Sequence, residues 1–241
     1  MGNPTAAMLV IGDEILSGRT RDTNTNHLAR HLTGRGIRLA EVRVVPDDHA
    51  AIVAALNALR ATYDHVFTSG GIGPTHDDIT ADAVADAFGV GIDVREDAHA
   101  ILRAHYQRTG LELNPMRLRM ARIPEGATLI DNPISAAPGF TLGNVHVMAG
   151  VPAIFEAMVA SVLPLLTGGD PLLSQMIDVP RGEGEIAQAL KDLAARFPEL
   201  SFGSYPYQRN GAFGTQLVVR GTDAGMIDRA MVDLAALAVK P

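Results

Sequence analysis

Two adjacent carboxylates, Asp77 and Asp78, stand at the end of a glycine-rich stretch, Ser69-Gly70-Gly71-Ile72-Gly73-Pro74-Thr75-His76. Glycine reaches positive φ and lets a backbone approach a ligand closely. A helical pattern over residues 81–88 follows, and the free N–H groups of a helix start favour an anion. The loop has neither the Lys-Ser/Thr ending of a P-loop nor the G-x-G-x-x-G spacing of a dinucleotide fold. An N-cap and the helix dipole account for one aspartate. Two beside a phosphate would repel it unless a cation lay between, and Mg²⁺ is usually held by one or two carboxylates plus substrate phosphates. Charge therefore favours a metal–phosphate site over a plain cap.

Other polar residues of the same character follow short apolar runs. After residues 6–11 come Gly12, Asp13, Glu14 and Ser17, then Asn24 and Asn26, with Asp22 or Thr23 placed to cap a helix. A second apolar run, 37–45, ends at Pro46-Asp47-Asp48, where either aspartate can cap the helix over 50–60. Further on, Asn132-Pro133 leads to Pro138-Gly139, and Gly150-Val151-Pro152 precedes a helical run, offering more backbone donors. His27 and His31 have an i, i+4 spacing seen in some helical zinc sites, but no third ligand accompanies them, so they read as surface or partner-facing histidines. Arg117, Arg119 and Arg122 are open between a solvated helix face and charge partners for a phosphate or a neighbouring subunit.

Strands over 6–11, 37–45 and 63–69 alternate with helices over 24–33, 50–60 and 81–88. That order implies a parallel sheet with right-handed crossovers, and three strand ends projecting polar loops to one edge. A helix over 97–110, strands over 125–130, 139–142 and 145–148, and a helix over 153–166 complete a first domain, 1–169. The run Gly168-Gly169-Asp170-Pro171 marks a boundary. Beyond it a strand (174–179), a helix (184–197), a hairpin (200–207 and 213–220 around 208–211) and a last helix (223–239) give a small α+β domain, 170–241, of split-βαβ style. It reads as a packing or dimerisation module.

The totals set limits. The 241 residues are 47% hydrophobic and 20% charged, enough for a sizeable core. A net charge of −7 argues against a general binder of nucleic acid or anionic membranes. Without cysteine there is no disulfide framework, zinc–thiolate site or cysteine nucleophile. No apolar run reaches membrane-spanning length and the N-terminus lacks a signal-peptide pattern, so a cytoplasmic location is the expectation.

The run from Gly70 to Thr80, Gly-Gly-Ile-Gly-Pro-Thr-His-Asp-Asp-Ile-Thr, resembles the signature of the molybdopterin-binding domain of molybdenum-cofactor biosynthesis. It is most similar to the version in competence/damage-inducible protein A and in the N-terminal domain of eukaryotic FAD synthases. Gly12 to Gly18 with Asn24-Thr25-Asn26, Asn132 to Phe140, and Ala149 to Pro152 resemble three further motifs of that family, with Ala149 where proline is usual. Gly203-Ser204-Tyr205-Pro206 is similar to the small domain that follows in FAD synthases.

The resemblance implies a doubly wound, mostly parallel α/β sheet. It implies that Asp47 faces Asp78 as a catalytic pair, with Asp77 joining them around a metal. The ligand contacts it implies are Gly12, Asp13, Glu14, Ser17, Asn24 and Asn26; Ser69, Gly70, Gly71, Gly73, Pro74 and Thr75; and Asn132, Pro138, Gly139, Gly150 and Pro152. Adenylyltransferases of the family favour Thr at the place of Ile72 and Arg-Asp at the place of Asp77-Asp78. The expectation is therefore the other branch, a nucleotide pyrophosphatase for ADP-ribose- or FAD-like substrates, using a divalent metal (magnesium or cobalt) and potassium. Binding of molybdopterin, or adenylyl transfer, is the alternative. The expected partner is a small nucleotide or pterin, with a homo-oligomeric chain and neither nucleic acid nor membrane involved.

Overall fold

The first strand, β1 (Thr5–Ile11), is apolar on both faces, so it can lie only inside a covered sheet. Its alternate residues enter two separate cores: Ala7, Leu9 and Ile11 in one, Ala6, Met8 and Val10 in the other. The computed structural model describes residues 2–209 and 211–239. The chain divides into two units, Met1–Gly169 and Asp170–Pro241.

In the first unit β1 is followed by α1 (Asp13–Leu16), α2 (Asn24–Gly34), β2 (Arg38–Val45), α3 (His49–Thr62), β3 (His65–Ser69) and α4 (Thr80–Phe88). Then come β4 (Ile92–Val94), α5 (Glu96–Thr109), α6 (Pro115–Leu118), β5 (Arg122–Pro124), β6 (Thr128–Ile130), β7 (Gly139–Leu142), β8 (Val145–Met148) and α7 (Pro152–Val162). The main sheet has the order β2-β1-β3-β8-β7-β6. β2, β1, β3 and β8 run parallel, while β7 and β6 return antiparallel. Helices α3, α4 and α5 cover one face through Leu56, Leu59, Val84 and Leu102. Helices α2 and α7 cover the other through Leu28, Leu32, Phe155 and Val159. Each such side chain, fully buried, contributes about 1.5–3 kcal/mol. This is the doubly wound, mostly parallel α/β fold.

The chain leaves β1 for β2 on one flank and then passes to β3 on the other. The order thus reverses at β1, and ligands of open α/β sheets bind outside the strand ends at such a point. Several boundaries differ from those read from sequence. α4 starts at Thr80, with Ile79 at its N-cap and no side-chain cap, so Asp77 and Asp78 precede the helix rather than cap it. Pro164 ends α7 in a 3₁₀ turn, Leu163–Leu165, instead of letting the helix reach residue 166. The small antiparallel pair β4–β5 has no counterpart in the sequence reading, being only three residues long on each side.

The second unit runs β9 (Leu173–Val179), α8 (Glu183–Arg196), β10 (Ser201–Arg209), β11 (Ala212–Gly221) and α9 (Ala224–Val239). β11 lies between β10 and β9 and is antiparallel to both, the split-βαβ arrangement. Ile186, Leu193, Ile227 and Leu234 from the helices pack on Val179, Leu217 and Val219 of the sheet. Of the turn expected over 208–211, Asn210 lies outside the described residues. Among the described residues no helix is long and apolar enough to cross a membrane.

Candidate ligand-binding site

A cleft of about 520 Å³ opens where the ends of β1, β2, β3 and β8 meet. Each strand end delivers one part of it. After β1, Gly12 extends the sheet through its N–H to Val45 O (3.2 Å), and Glu14 folds back so closely that a Cβ on Gly12 would lie 2.5 Å from its Oε2. After β2 the two aspartates separate in role. Asp48 caps α3, accepting from Ala51 N at 2.9 Å. Asp47 instead accepts from Asp13 N at 2.9 Å and turns into the cleft. Burial pushes the Asp47 carboxyl above its ordinary range; the Asp13 N–H opposes this, and the charges of Glu14, Asp13 and Asp77 reinforce it.

The glycine loop after β3 is tied down from below. Gly70 and Gly71 have φ of 109° and 69°, and a Cβ on them would lie 2.2 Å from Ile11 O and 2.1 Å from Thr80 Oγ1. Thr80 donates from N to Gly71 O (2.9 Å) and from Oγ1 to Gly70 O (3.0 Å). Gly70 N is itself spent on Met148 O, 3.2 Å away. Among the described residues no protein acceptor meets the amides of Gly71, Ile72 or Gly73, so these are the loop donors left for a ligand. Asp78 closes a turn: its Oδ2 accepts from Thr75 N (2.8 Å) and Thr75 Oγ1 (2.6 Å), and its other oxygen makes no hydrogen bond among the described residues.

The remaining walls are braced by asparagines. Asn24, 6% exposed, donates from Nδ2 to Ser69 Oγ and to Gly150 O, both at 2.8 Å, and so joins α2, β3 and the start of α7. Its Oδ1 is buried without a donor. Asn132 folds its own loop, donating to Ser135 Oγ (2.6 Å) and Ala137 O (2.8 Å) and accepting from Ile134 N and Ser135 N. In that loop Ala136 has φ 61°, an uncommon value for a residue with a Cβ.

Of the residues singled out in the sequence, Glu14, Asp47, Asp77, Asp78, Gly70, Gly71, Gly73, Pro74, Asn132, Gly150 and Pro152 line the cleft. Asn24 and Ser69 line an adjoining recess. Gly12, Asp13, Thr75, Pro138 and Gly139 are outside the cleft lining: Asp13 and Thr75 are exposed, Pro138 lines the small chamber beside the cleft, and a Cβ on Gly139 would meet Val147 O, so that glycine serves sheet packing. Ser17 and Asn26 are exposed and outside the lining. Arg122 pairs with both oxygens of Asp82 (2.8 and 2.6 Å), Arg117 stacks over Tyr106, and Arg119 reaches Asp78 O at 3.3 Å. His27 and His31 stack on each other at 4.1 Å, outside the cleft lining. Sequence reasoning missed Ile72, Met120, Ala137, Val151 and Ile154, which give the cleft its apolar surface, and Thr80, the lock of the loop. Ile154 and Thr80 lie in helices, where periodicity could have hinted at their direction; Ile72, Ala137 and Val151 lie in loops and Met120 in a 3₁₀ turn, where it could not.

The fit of a metal can be judged from these groups. Among the described residues no three His, Asp or Glu side chains gather closely enough to hold an ion alone. Yet Asp47's pKa is raised, first by burial and then by the charges of Glu14, Asp13 and Asp77, and a cation relieves that repulsion. The residues therefore fit an ion shared with a ligand's phosphates rather than a resident structural ion.

Residues 7–168 match the family described as "probable molybdopterin binding domain", and residues 171–240 match "FAD synthase, middle domain". The chain belongs to the molybdopterin-binding-domain family. It is 43% identical over 167 residues to a CinA-like protein of Citrifermentans bemidjiense, covering 67% of this chain and 40% of that one. It is 31% identical over 259 residues to a probable FAD synthase of Caenorhabditis elegans, covering 97% of this chain and 50% of that one. The chain thus spans half or less of the length of these two relatives. Among solved structures, the protein CinA of Thermoplasma acidophilum, described as of unknown function, is similar with 35% identity and a TM-score of 0.61 over 66% of this chain and 95% of that one.

Proposed function

We propose that the first unit is a metal-dependent nucleotide pyrophosphatase acting on ADP-ribose- or FAD-like substrates. The observation that carries this reading is the charge of the cleft. Glu14, Asp47, Asp77 and Asp78 line it, and among the described residues no lysine, arginine or histidine does. A phosphate-bearing ligand settles there only with a cation between the like charges.

Asp78, through its free oxygen, and Asp47 would hold that ion, with Asp77 beside them. When bound, a divalent ion (magnesium or cobalt) stabilises charge on phosphoryl oxygens and lowers the pKa of water. Asp47 keeps one oxygen on the Asp13 amide and offers the other to the attacking water. Its raised pKa brings it closer to the working pH of a general base. The water oxygen bonds to phosphorus, its proton passes to Asp47, and the bridging P–O bond breaks with its electrons leaving on the second phosphate. The amides of Gly71, Ile72 and Gly73 stabilise the charge that develops on the attacked phosphoryl group. Ile72, Met120 and Ile154 offer an apolar surface to a flat ring.

The test is incubation of the protein with ADP-ribose and with FAD, with and without Mg²⁺ or Co²⁺, in potassium and in sodium buffers. AMP released only in the presence of metal is expected, faster in potassium; no AMP under any condition retires the hydrolase. A second reading, molybdopterin binding or adenylyl transfer, draws on the family match over residues 7–168. Stoichiometric retention of molybdopterin without AMP release would favour it. Among the described residues, those that line the cleft all belong to the first unit. A packing or dimerisation role for it, within a homo-oligomer, is tested by the sedimentation of chains with and without it.

A further inference from the structure

Arg119 is a half-buried guanidinium next to a site lined by carboxylates, and it pairs with none of them. It makes no ion pair among the described residues; its one hydrogen bond runs from Nη2 to the backbone carbonyl of Asp78, 3.3 Å away. Its Nε is buried without a partner among the described residues. A cation left so poorly compensated costs stability, so the arrangement calls for a reason other than folding.

The base from which Arg119 reaches out is rigid. It begins the 3₁₀ turn Arg119–Ala121. Ala121 is fully buried and its carbonyl accepts from Arg95 N at 2.9 Å. One residue on, Arg122 grips both oxygens of Asp82 on α4. Met120, between them, lines the cleft. A small chamber behind the glycine loop is bounded by Arg119 together with Gly71, Ile72, Gly73 and Asp78. The guanidinium thus stands beside the segment that lines both this chamber and the cleft and that carries the loop's free amides and the free oxygen of Asp78.

We propose that Arg119 is a positioning residue for the carboxylate turn. It holds the Asp78 carbonyl, and with it the Thr75–Asp78 turn, and it places positive charge behind the loop before a phosphate-bearing ligand arrives. Asp78 then meets that ligand in a fixed orientation, and the positive charge offsets part of the cleft's repulsion toward phosphate. The inference rests on the pyrophosphatase reading for its kinetic consequence, and on geometry alone for its effect on the loop.

Two measurements keep these apart. The first is amide hydrogen exchange at the hydrogen-bonded amides of Gly70, Thr75 and Asp78 in the ligand-free full chain, for the parent, Arg119→Met and Arg119→Lys. Losing a charge-assisted hydrogen bond should speed exchange there about tenfold or more in Arg119→Met. Arg119→Lys, which keeps a cationic donor, should restore most of the protection. The second is ADP-ribose hydrolysis with Mg²⁺. Arg119→Met should lose about tenfold in kcat with a smaller change in KM, and Arg119→Lys should recover part of it. Unchanged exchange in Arg119→Met overturns the proposal, whether or not the protein hydrolyses anything. So does a variant in which exchange rises throughout the first unit, since that marks a general packing role. A parent protein without turnover, but with the exchange pattern as expected, retires the pyrophosphatase reading and leaves the positioning role standing.

Discussion

Two clusters of polar groups sit at the same sheet, and they use their hydrogen-bonding capacity in opposite ways. The first lies inside, where β3, β8 and β7 meet. His146, 4% exposed, has Nδ1 at 3.0 Å from Thr141 Oγ1 and Nε2 at 3.2 Å from His65 Nδ1. Both ring nitrogens are spent, and the imidazole lies against Phe67 with ring centroids 4.8 Å apart. The second cluster lies at the strand ends. Asp78 keeps one oxygen free, three loop amides lack acceptors, and Asp47 is crowded by like charges. A cluster that satisfies itself stabilises a core. A cluster that keeps unused donors, unused acceptors and repulsion is set up for something that comes from outside. Substitutions that tell spent groups from spare ones test this contrast.

The largest effect is expected at Asp78. Asparagine there keeps an oxygen that can accept from Thr75, so the turn survives, but it removes the charge of the spare oxygen. Hydrolysis of ADP-ribose should fall by about four orders of magnitude or more, with a weakened dependence on Mg²⁺. Ligand binding without metal should hold or improve, because a repulsion is gone. The melting temperature should move little. A variant with the parent's rate and the parent's metal dependence would place Asp78 with the spent groups.

Asp47→Asn should lower turnover by about 10²–10⁴, the usual weight of a general base. In the parent, the rate should fall on the acid side as Asp47 is protonated and can no longer take the proton of the water. Stability should move the other way. A carboxyl whose folded pKa is raised stabilises the fold fully only below its unfolded pKa, and that contribution is lost as pH rises through the folded pKa. At pH 7 the ionised Asp47 is therefore a burden, and the asparagine variant should melt slightly higher. Calorimetry at pH 7 checks this; a lower melting point would mean that the charge is compensated after all.

The interior cluster should answer to acid and not to substrate. Burial, and then the neighbouring His65, lower the His146 pKa from 6.5 to about 3. Below pH 6.5 the unfolded chain takes up the proton that the folded chain refuses, so stability falls until the pH approaches 3. Between pH 6.5 and 5 this amounts to roughly 2 kcal/mol. His146→Gln, which can still hydrogen-bond its neighbours, should flatten that fall and leave hydrolysis at pH 7.5 unchanged. Denaturant titrations at both pH values measure the difference; equal acid sensitivity in parent and variant would break the contrast.

The alternating β-α order of the first unit and the split-βαβ order of the second were legible in the apolar runs and glycine punctuation, which report strands and their ends directly. The doubly wound arrangement came from the family resemblance. The glycines of the loop were legible too, but the reason for them was not. A Cβ on Gly71 strikes Thr80 Oγ1 at 2.1 Å, so the position is closed first by the protein's own lock and only then by any ligand. Asp47 and Asp48 could each have been a cap; only the direction of Pro46's strand end decides that Asp48 caps and Asp47 faces the cleft. Ser17 and Asn26 matched a motif, yet a motif does not report which side of a short helix meets the ligand, and both face solvent. Arg119, Arg117 and Arg122 were indistinguishable by composition. Their different partners arise because Arg117 lies in α6, Arg119 opens a 3₁₀ turn and Arg122 starts β5, a succession that no periodicity announces.

The smallest effect is expected from removing the second unit. Every residue lining the cleft lies before residue 155. The end of the first unit is held by that unit's own groups: Gly169 N donates to Arg35 O at 3.0 Å, and Arg35 donates back to Leu166 O at 3.1 Å. A chain ending after Asp170 keeps those bonds and both cores of the first unit. It should therefore show an undiminished helical circular-dichroism signal per helical residue, a cooperative melt, and an ADP-ribose affinity within about threefold of the full chain's, a difference of roughly 0.7 kcal/mol. Lost cooperativity would mean that the first unit depends on the second for its core. Retained folding with lost affinity would mean that the cleft is completed from outside the first unit, and the contrast between spent and spare groups would then have to be redrawn with the second unit's side chains included.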